Sequence, residues 1–391
     1  MIQEITIKNY KSCENLSLQL KEPITALIGK NAAGKTNTLK AIDFASVCCS
    51  RPFDPKTNPA ICDGGFGATF RFKIKEADCI YQFRFYGKNE SYIKDSLKIA
   101  IEGTPVEVFR KHSKTDLRVY RKKNSLRIPT DYSGLAFLRE ILFSDDKPDF
   151  AKRISEYNYY IFEILIQLFT VKYYSAFNKI NLDLIVFKEE FTKWVNDKKP
   201  LVKEDLDTFR FLDFYYNKNE AYEEFKSILI SLGLIQDIEC SEMEVKGKLG
   251  TKKFDVVLIE FKVNNRLSGF SDLSDGTQNL ISVLFRFFSG PNSLFLIEEL
   301  ENSVHWGLLK GVLSILSEYT DRKKIIITTH SEQILNHLDP NQIIYIYNDA
   351  GKTKRKYIRG KALSRVKAYL NDIGPFGEYL TSGSLESDLD E

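Results

Sequence analysis

The sequence predicts an α/β fold that carries an antiparallel β lobe and a compact helical insertion. Residues 1–30 read as short strands with apolar alternation. Residues 66–128 alternate polar and apolar side chains, with Gly or Asn at the bends, as an antiparallel meander does. Residues 132–235 change to helical spacing. The remainder of the chain alternates strands and helices, which favours a sheet with parallel strands.

These changes of period also predict the domain boundaries. We divide the chain into a β-rich part over 1–130, a helical insertion over 131–235 and an α/β part over 236–391 that completes the first. In the last part, the periodicity predicts helices over 276–289 and 303–319 and strands over 293–298 and 323–328. The acidic tail "ESDLDE" is expected to be disordered.

The composition is that of an ordinary globular protein, with 43% hydrophobic and 28% charged residues in a chain of 391. A net charge of +3 is too small to indicate a nucleic-acid partner by itself. The six cysteines form no CxxC pair, which favours reduced thiols over a zinc site. The N-terminus has no apolar signal region, and the most apolar run, "YYIFEILIQLF", contains Glu163. We therefore expect a cytoplasmic protein without a membrane segment.

The stretch "GKNAAGKT", Gly29 to Thr36, matches the phosphate-binding pattern GxxxxGK[ST] in full. It follows an apolar strand, "ITALI", and precedes a predicted helix, so backbone N–H groups and the helix N-terminus would surround phosphates. Lys35 would reach the β- and γ-phosphates, and the Thr36 hydroxyl would bind Mg²⁺. The pattern predicts a P-loop NTPase that binds ATP and Mg²⁺. The predicted ATP-binding residues of this loop are Gly29, Lys30, Asn31, Ala32, Ala33, Gly34, Lys35, Thr36 and Asn37.

Three further stretches have the residue types of a nucleotide site. In "LFLIEELENSVHW", residues 294–306, an apolar strand ends in the carboxylates Glu298 and Glu299. In "IIITTHS", residues 325–331, a β-branched strand ends in His330. The turn "LSDGTQ" before the helix at 276–289 is, taken alone, a common helix cap. Together with the phosphate loop, these stretches form an ordered set.

This set resembles ABC-type ATPases. The stretches "IKNYKSCENLSLQL", "LSDGTQNL", "IEELENSVHW" and "TTHSEQIL" are similar to the SMC/RecF-like branch of that superfamily, and more closely to stand-alone ATPases related to the OLD (overcoming lysogenization defect) family. Many of those ATPases work in bacterial antiphage defence. The resemblance covers about residues 1–50 and 265–350, and it implies an ABC-type ATPase head.

The resemblance also implies roles for individual residues. Glu298 would hold Mg²⁺ through water, Glu299 would polarise the attacking water, and His330 would contact the γ-phosphate. Ser274 and Gly276 would donate hydrogen bonds to the γ-phosphate of ATP that a second protomer holds. The expected assembly is therefore a homodimer, or a higher homo-oligomer, with shared ATP sites.

The sequence departs from the family pattern at several positions. Glu298 stands where aspartate is usual, although a longer carboxylate can still accept from a water of the Mg²⁺ shell, at a cost of about tenfold in rate for about 1.4 kcal/mol of misplacement. Glu301 and His305 keep their family identities, whereas Trp306 replaces a proline. No glutamine occurs between Gln82 and Gln167, so the usual contact of a linking glutamine has no assigned residue.

Other parts of the chain suggest partners. The segments 110–127 and 352–367 each contain eight Lys and Arg residues, which fits nucleic-acid phosphates, a solvated face, an acidic partner or the protein's own acidic tail. The aromatic residues of the helical insertion favour core packing, with a partner surface as the alternative. The segment after His330 is too short for the nuclease domain of OLD-type enzymes, so we expect no nuclease in this chain.

Three functions remain open at this stage. The first is an ATPase that gates a separately encoded effector, such as a nuclease or toxin, in antiphage defence. The second is a DNA-maintenance ATPase of RecF type that clamps DNA, and the third is a scaffold that binds ATP without hydrolysing it. The trigger, the effector and the oligomer beyond a dimer are not determined by the sequence.

Overall fold

The structure is a computed structural model that describes residues 1–50, 65–86, 92–120, 125–130, 132–142, 154–175, 179–196, 206–217, 219–246, 253–290, 293–302, 304, 306–320 and 323–390. The strands are β1 (Ile2–Tyr10), β2 (Cys13–Gln19), β3 (Ile24–Ile28), β4 (Gly67–Ile74), β5 (Ala77–Tyr86), β6 (Tyr92–Ile101), β7 (Thr104–Lys111), β8 (Asp116–Val119), β9 (Leu126–Arg127), β10 (Val171–Ser175), β11 (Ile185–Phe187), β12 (Asp237–Lys246), β13 (Lys253–Val263), β14 (Arg266–Ser268), β15 (Leu294–Glu298), β16 (Lys324–Thr328), β17 (Ile343–Asp349) and β18 (Lys352–Tyr357). The α-helices are α1 (Lys35–Ser50), α2 (Gly134–Leu142), α3 (Asn158–Phe169), α4 (Lys188–Asn196), α5 (Leu206–Asn217), α6 (Glu220–Ser231), α7 (Asp275–Phe288), α8 (Trp306–Glu318), α9 (Glu332–Leu335), α10 (Gly360–Asp372), α11 (Phe376–Thr381) and α12 (Ser384–Asp390).

The chain divides into two compact units. The first unit contains Met1–Tyr173, Asn292–Glu299 and Leu313–Glu391, and the second contains Tyr174–Pro291 and Leu300–Val312. The predicted insertion over 131–235 is therefore not a unit by itself. Its helices α2 and α3 belong to the first unit, where α2 contacts β6 and α3 contacts α1.

An antiparallel sheet forms the β lobe of the first unit, as the alternation of polar and apolar residues predicts. Its strand order is β2-β1-β4-β5-β6-β7-β8-β9. Each strand turns alternate side chains inward, which is clearest in β5, where every second residue from Ala77 is buried. These inward side chains share one core with α1, α2 and α3.

A second sheet in the first unit carries the predicted nucleotide motifs. Its order is β10-β15-β16-β3-β17-β18, and β15, β16, β3 and β17 run parallel. Every residue of β3 and β16 is buried, as expected for central strands with both faces covered. Because these strands are parallel, the carboxyl ends of β15, β16 and β3 meet at one edge of the sheet.

The second unit combines antiparallel strands with an aromatic core. Its strands are ordered β11-β13-β12, and β14 pairs with β13. The core contains Phe211 of α5, Phe225 of α6 and Phe285 of α7, whose ring centroids lie 5.4 to 6.5 Å apart. The helix at the predicted 276–289 is present as α7, and it contacts α6.

Two local predictions are wrong. The helical interpretation ran through Val171–Ser175, but α3 ends at Phe169 and this stretch is the strand β10. Four of the five residues from Thr170 to Tyr174 are β-branched or aromatic, which favours a strand once a neighbouring strand is available. The acidic tail, predicted to be disordered, forms helix α12.

The acidic tail is held by one of the two basic segments. Arg365 donates to Asp388 at 2.5 Å, and the Tyr379 hydroxyl donates to the same carboxylate. Lys352 of that segment also forms an ion pair within the chain, with Glu14 at 2.6 Å. Binding of the protein's own tail is therefore one use of the segment 352–367.

The length and apolar character of the helices bear on the predicted absence of a membrane segment. Among the helices of the described ranges, none has the length and apolar character needed to cross a membrane.

Candidate functional site

The phosphate loop joins β3 to α1, as its sequence pattern predicts. Gly29 and Gly34 have φ angles of 141° and 104°, in the region that favours glycine. The packing also demands glycine, because a Cβ on Gly29 would lie 1.9 Å from the Ile346 carbonyl oxygen and a Cβ on Gly34 would lie 2.0 Å from the Thr353 hydroxyl. The loop is thus shaped by strands β17 and β18 as well as by its own residues.

Lys35 lies folded over this loop. Its ammonium donates to the carbonyl oxygens of Gly29, at 2.8 Å, and Lys30, at 3.1 Å. The residue is only 6% exposed. Thr36 follows in the first turn of α1 and is half-buried. This places an ammonium and a hydroxyl beside the N-terminus of a helix, where an anion is stabilised.

Asn37 also belonged to the predicted ATP-binding set. Its side-chain amide donates to the Ser12 hydroxyl at 2.9 Å, and the Thr353 hydroxyl donates to the same oxygen at 2.7 Å. The Asn37 side chain therefore ties the start of α1 to the turn between β1 and β2.

The two carboxylates predicted at the end of β15 lie at the same edge of the sheet as the phosphate loop, with β16 between β15 and β3. Glu298 is the last residue of β15 and is registered with Thr328 of β16. Glu299 has a φ of 48°, a left-handed conformation for a residue other than glycine. Its N–H donates to the carbonyl oxygen of Thr328, at 3.0 Å, and lies 3.1 Å from the Thr328 hydroxyl. Strain of this kind, costing about 1–3 kcal/mol, persists where surrounding structure enforces it and often marks functional residues.

His330 lies two residues after the end of β16, and β16 lies between β15 and β3 in the sheet. The residue is exposed. The next residue, Ser331, is held by a bond from its N–H to the Thr329 hydroxyl at 2.9 Å. The structure thus brings the phosphate loop, Glu298, Glu299 and His330 to the ends of three adjacent strands.

Tyr173 of β10 is a candidate site residue that the sequence reasoning missed. Its hydroxyl donates a hydrogen bond to the Glu298 carboxylate. The sequence assigned this tyrosine to a helical segment and explained it by core packing. The stretch "TVKYY" could have identified it, because these residues have strand propensity. The stretch follows the preceding helix with no glycine between them to mark the change.

Ser274 and Gly276 lie in the second unit, at the start of α7. Ser274 is exposed and is the N-cap residue, since its hydroxyl accepts from the Thr277 N–H at 3.3 Å. Apart from its chain neighbours and the backbone of α7 itself, no atom of the described residues lies within 4 Å of the position that a Gly276 Cβ would take. Nothing in the described part of the chain therefore demands glycine at that position, which leaves room for a group from outside.

The turn that contains Ser274 is held from inside by a buried glutamine. The Gln278 amide donates to the carbonyl oxygens of Leu273, at 2.7 Å, and Ser271, at 3.2 Å. Lys179 donates to the Gln278 side chain at 2.7 Å and to Asp275 at 3.0 Å. The turn is thus pre-organised by its own unit.

Four further positions, two near the end of β15 and two glutamines, add no contact to the site in the described residues. His305 lies outside the described residues, and nothing is described of the Trp306 side chain. Gln82 lies on the exposed face of β5 and Gln167 is buried in α3. The contact of the linking glutamine thus has no assigned residue.

The fold and this arrangement define a P-loop NTPase with the α/β fold of ABC-type ATPase heads. The family model described as "AAA domain, putative AbiEii toxin, Type IV TA system" matches residues 24–336, and the chain belongs to this family.

The chain is also similar to RecF proteins in sequence and to an SMC head in fold. The DNA replication and repair protein RecF of Clostridium novyi (strain NT) is 20% identical over 397 residues, covering 95% of this chain and 96% of the relative. RecF of Bacillus cytotoxicus (strain DSM 22905 / CIP 110041 / 391-98 / NVH 391-98) is 46% identical over 41 residues, which is 10% of this chain and 11% of the relative. The SMC head solved in complex with the C-winged helix domain of ScpA has a TM-score of 0.50 at 15% identity, covering 93% of this chain and 99% of that chain. The predicted similarity to SMC and RecF ATPases is confirmed, whereas the narrower OLD-related branch stays a prediction.

Proposed function

We propose that this protein hydrolyses ATP in sites shared between two copies of the chain, and that the cycle gates a separately encoded effector in antiphage defence. One observation carries the enzymatic part of this proposal. The phosphate loop, the Glu298–Glu299 pair and His330 lie at the ends of adjacent strands β3, β15 and β16. Ligands of open α/β sheets bind at this edge.

The donor set at this edge fits Mg²⁺ bound together with a nucleotide. Thr36 offers a hydroxyl and Glu298 a carboxylate, both oxygen donors, and Mg²⁺ takes its remaining ligands from phosphates and water. In the described ranges, no cluster of three or more His, Cys, Asp or Glu residues could hold a metal without a nucleotide. Bound Mg²⁺ would supply charge neutralisation at the phosphates.

The reaction requires few protein groups. Glu299 would orient a water and accept its proton as the water oxygen bonds to the γ-phosphorus. The bond from the γ-phosphorus to the β–γ bridging oxygen breaks, which releases ADP and phosphate. Lys35 would stabilise the charge on the β- and γ-phosphates, and His330 would contact the γ-phosphate.

Completion by a second copy is supported by the start of α7. The exposed Ser274 hydroxyl and the open space at Gly276 lie at a helix N-terminus in the second unit. Such a turn can accept an anion, and the γ-phosphate of a partner's ATP is the anion that the family resemblance implies. Two copies would therefore enclose two ATP molecules.

The role in defence is supported by the family and the motif resemblance. The description of the matching family names a toxin of a type IV toxin–antitoxin system. The motifs of this chain resemble OLD-related ATPases, many of which act against phage. An ATP-dependent dimer whose opening follows hydrolysis could release or activate such an effector.

The proposal is tested by the dependence of turnover on protein concentration. The ATP turnover rate per chain is expected to fall on dilution, because dissociation removes Ser274 of the second copy from each site. Phosphate release would be measured over a dilution series, with light scattering reporting the oligomer with and without ATP. A monomer that hydrolyses ATP at an undiminished rate contradicts a shared site.

A second candidate function, DNA binding by a RecF-like ATPase, is favoured by an aromatic and basic patch on the β lobe. The rings of Tyr86 and Tyr92 stack at 4.9 Å with an interplanar angle of 9°. The Arg84 guanidinium lies 5.2 Å from the Tyr86 ring, and the ammonium groups of Lys94 and Lys114 lie 5.5 and 5.7 Å from rings of the pair. Aromatic faces beside cations suit nucleic-acid bases and phosphates.

This candidate predicts ATP-dependent DNA binding that weakens as salt rises. Replacing Tyr86 and Tyr92 together with alanine is expected to weaken binding about tenfold or more, since stacking contributes about 1–3 kcal/mol per base. Fluorescence anisotropy with labelled DNA at several salt concentrations would measure the change. Tyr159→Ala is a matched control, because Tyr159 has a similar contact with Lys75 outside the patch. Equal losses in both variants would exclude the patch as the DNA site.

A further inference from the structure

The hydrogen bond between Tyr173 and Glu298 joins neighbouring strands of the parallel sheet. β10 lies next to β15 in the strand order, and both residues belong to the first unit. The tyrosine hydroxyl donates to Oε2 of the carboxylate, and both side chains are half-buried. This contact involves the residue that departs from the usual aspartate of the family.

A glutamate has one methylene more than an aspartate, with two consequences at this position. The longer side chain reaches the hydroxyl on the next strand, which a shorter carboxylate at the same backbone position would not reach in the same geometry. It also has more rotamers, so fixing a free glutamate costs more side-chain conformational entropy. A hydrogen bond to Oε2 restricts those rotamers before any ligand arrives.

We propose that Tyr173 is a positioning residue that holds the Glu298 carboxylate in place for nucleotide-bound Mg²⁺. The phenol binds one carboxylate oxygen, and the other oxygen would accept from a water of the metal shell when nucleotide and metal are bound. This inference rests on the proposed function, because it requires that Mg²⁺ and nucleotide bind at this edge. Glu298, which replaces the usual aspartate, thus has a hydrogen-bond partner in Tyr173 of β10, and the two residues act as a pair.

A purely structural role for Tyr173 makes a different prediction. In that case, loss of the hydroxyl would lower the stability of the fold and would do so whichever acid stands at position 298. As a positioning residue, Tyr173 acts through Glu298, so its effect depends on the glutamate. A double-mutant cycle separates these roles.

The cycle consists of wild type, Tyr173→Phe, Glu298→Asp and the double variant. Mn²⁺, which is visible by electron paramagnetic resonance, replaces Mg²⁺, and its dissociation constant is measured with saturating ADP. Tyr173→Phe alone is expected to raise this constant about tenfold or more, the effect of losing one hydrogen bond to a charged group. In the Glu298→Asp background, the same change is expected to have no effect.

Controls separate the possible failures. Tyr160→Phe, a half-buried tyrosine of α3, should leave Mn²⁺ binding unchanged, and thermal unfolding without metal should show that every variant is folded at the assay temperature. Equal Mn²⁺ binding in wild type and Tyr173→Phe, or equal losses in both backgrounds, overturns the positioning role alone. A wild-type protein that binds neither ADP nor Mn²⁺ with ADP overturns the proposed function as well.

Discussion

Glu299→Gln is expected to lower the ATP turnover rate about 10³-fold while nucleotide binding is retained. A positioned general base contributes about 10²–10⁴-fold, and an amide of the same shape cannot accept the water proton. The backbone at Glu299 supports this role, because its φ of 48° is fixed by bonds to Thr328 that do not involve the carboxylate. The substitution should therefore leave the loop in place.

The measurement combines steady-state phosphate release with the binding of a fluorescent ATP analogue. The ATP-bound dimer of Glu299→Gln should also persist longer than that of the wild type, because its opening follows hydrolysis. Glu318→Gln, the same change at an exposed site near the end of α8, serves as the control. Equal, near-background rates in wild type and Glu299→Gln would support the non-hydrolysing scaffold.

Ser274→Arg and Lys35→Ala are each expected to abolish hydrolysis, yet a mixture of the two is expected to recover activity. In a shared site, Lys35 comes from one copy and Ser274 from the other. A mixed dimer would contain one site with both native residues, so an equal mixture should reach about a quarter of the wild-type turnover. Recovery of this kind requires that the two residues act across an interface.

The arginine is chosen because it fills the space at the start of α7 that the structure leaves open beside Gly276. Ser241→Arg, at an exposed position of β12 in the same unit, is the matched control and should remain active. Hydrolysis by Ser274→Arg alone at the wild-type rate would exclude the shared site. Failure of the mixture to recover, with both variants folded and binding each other, would exclude it as well.

The elements of the nucleotide site could be predicted closely, because each motif is local in the chain. The strands predicted over 293–298 and 323–328 are β15 and β16, and the helix predicted to follow the phosphate loop is α1. An apolar β-branched run, a glycine-rich turn and a helix start form a continuous stretch, so their geometry follows from backbone chemistry.

Errors arose where a neighbouring element decides the conformation. Val171–Ser175 forms a strand because β15 offers it a partner, although the preceding residues form the helix α3. The acidic tail forms helix α12, in which Asp388 accepts hydrogen bonds from Arg365 and Tyr379. Local propensity is a weak guide where such contacts supply the free energy.

The amino-acid sequence alone determined the class of the protein, since glycines, a lysine and carboxylates at fixed spacings specify a phosphate site through short-range geometry. Only the tertiary structure showed that Glu298 has a partner in Tyr173, 125 residues away along the chain. It also showed that Gly34 is required by Thr353 of β18. Such contacts depend on which strands become neighbours, and that depends on the packing of the whole sheet rather than on any single segment.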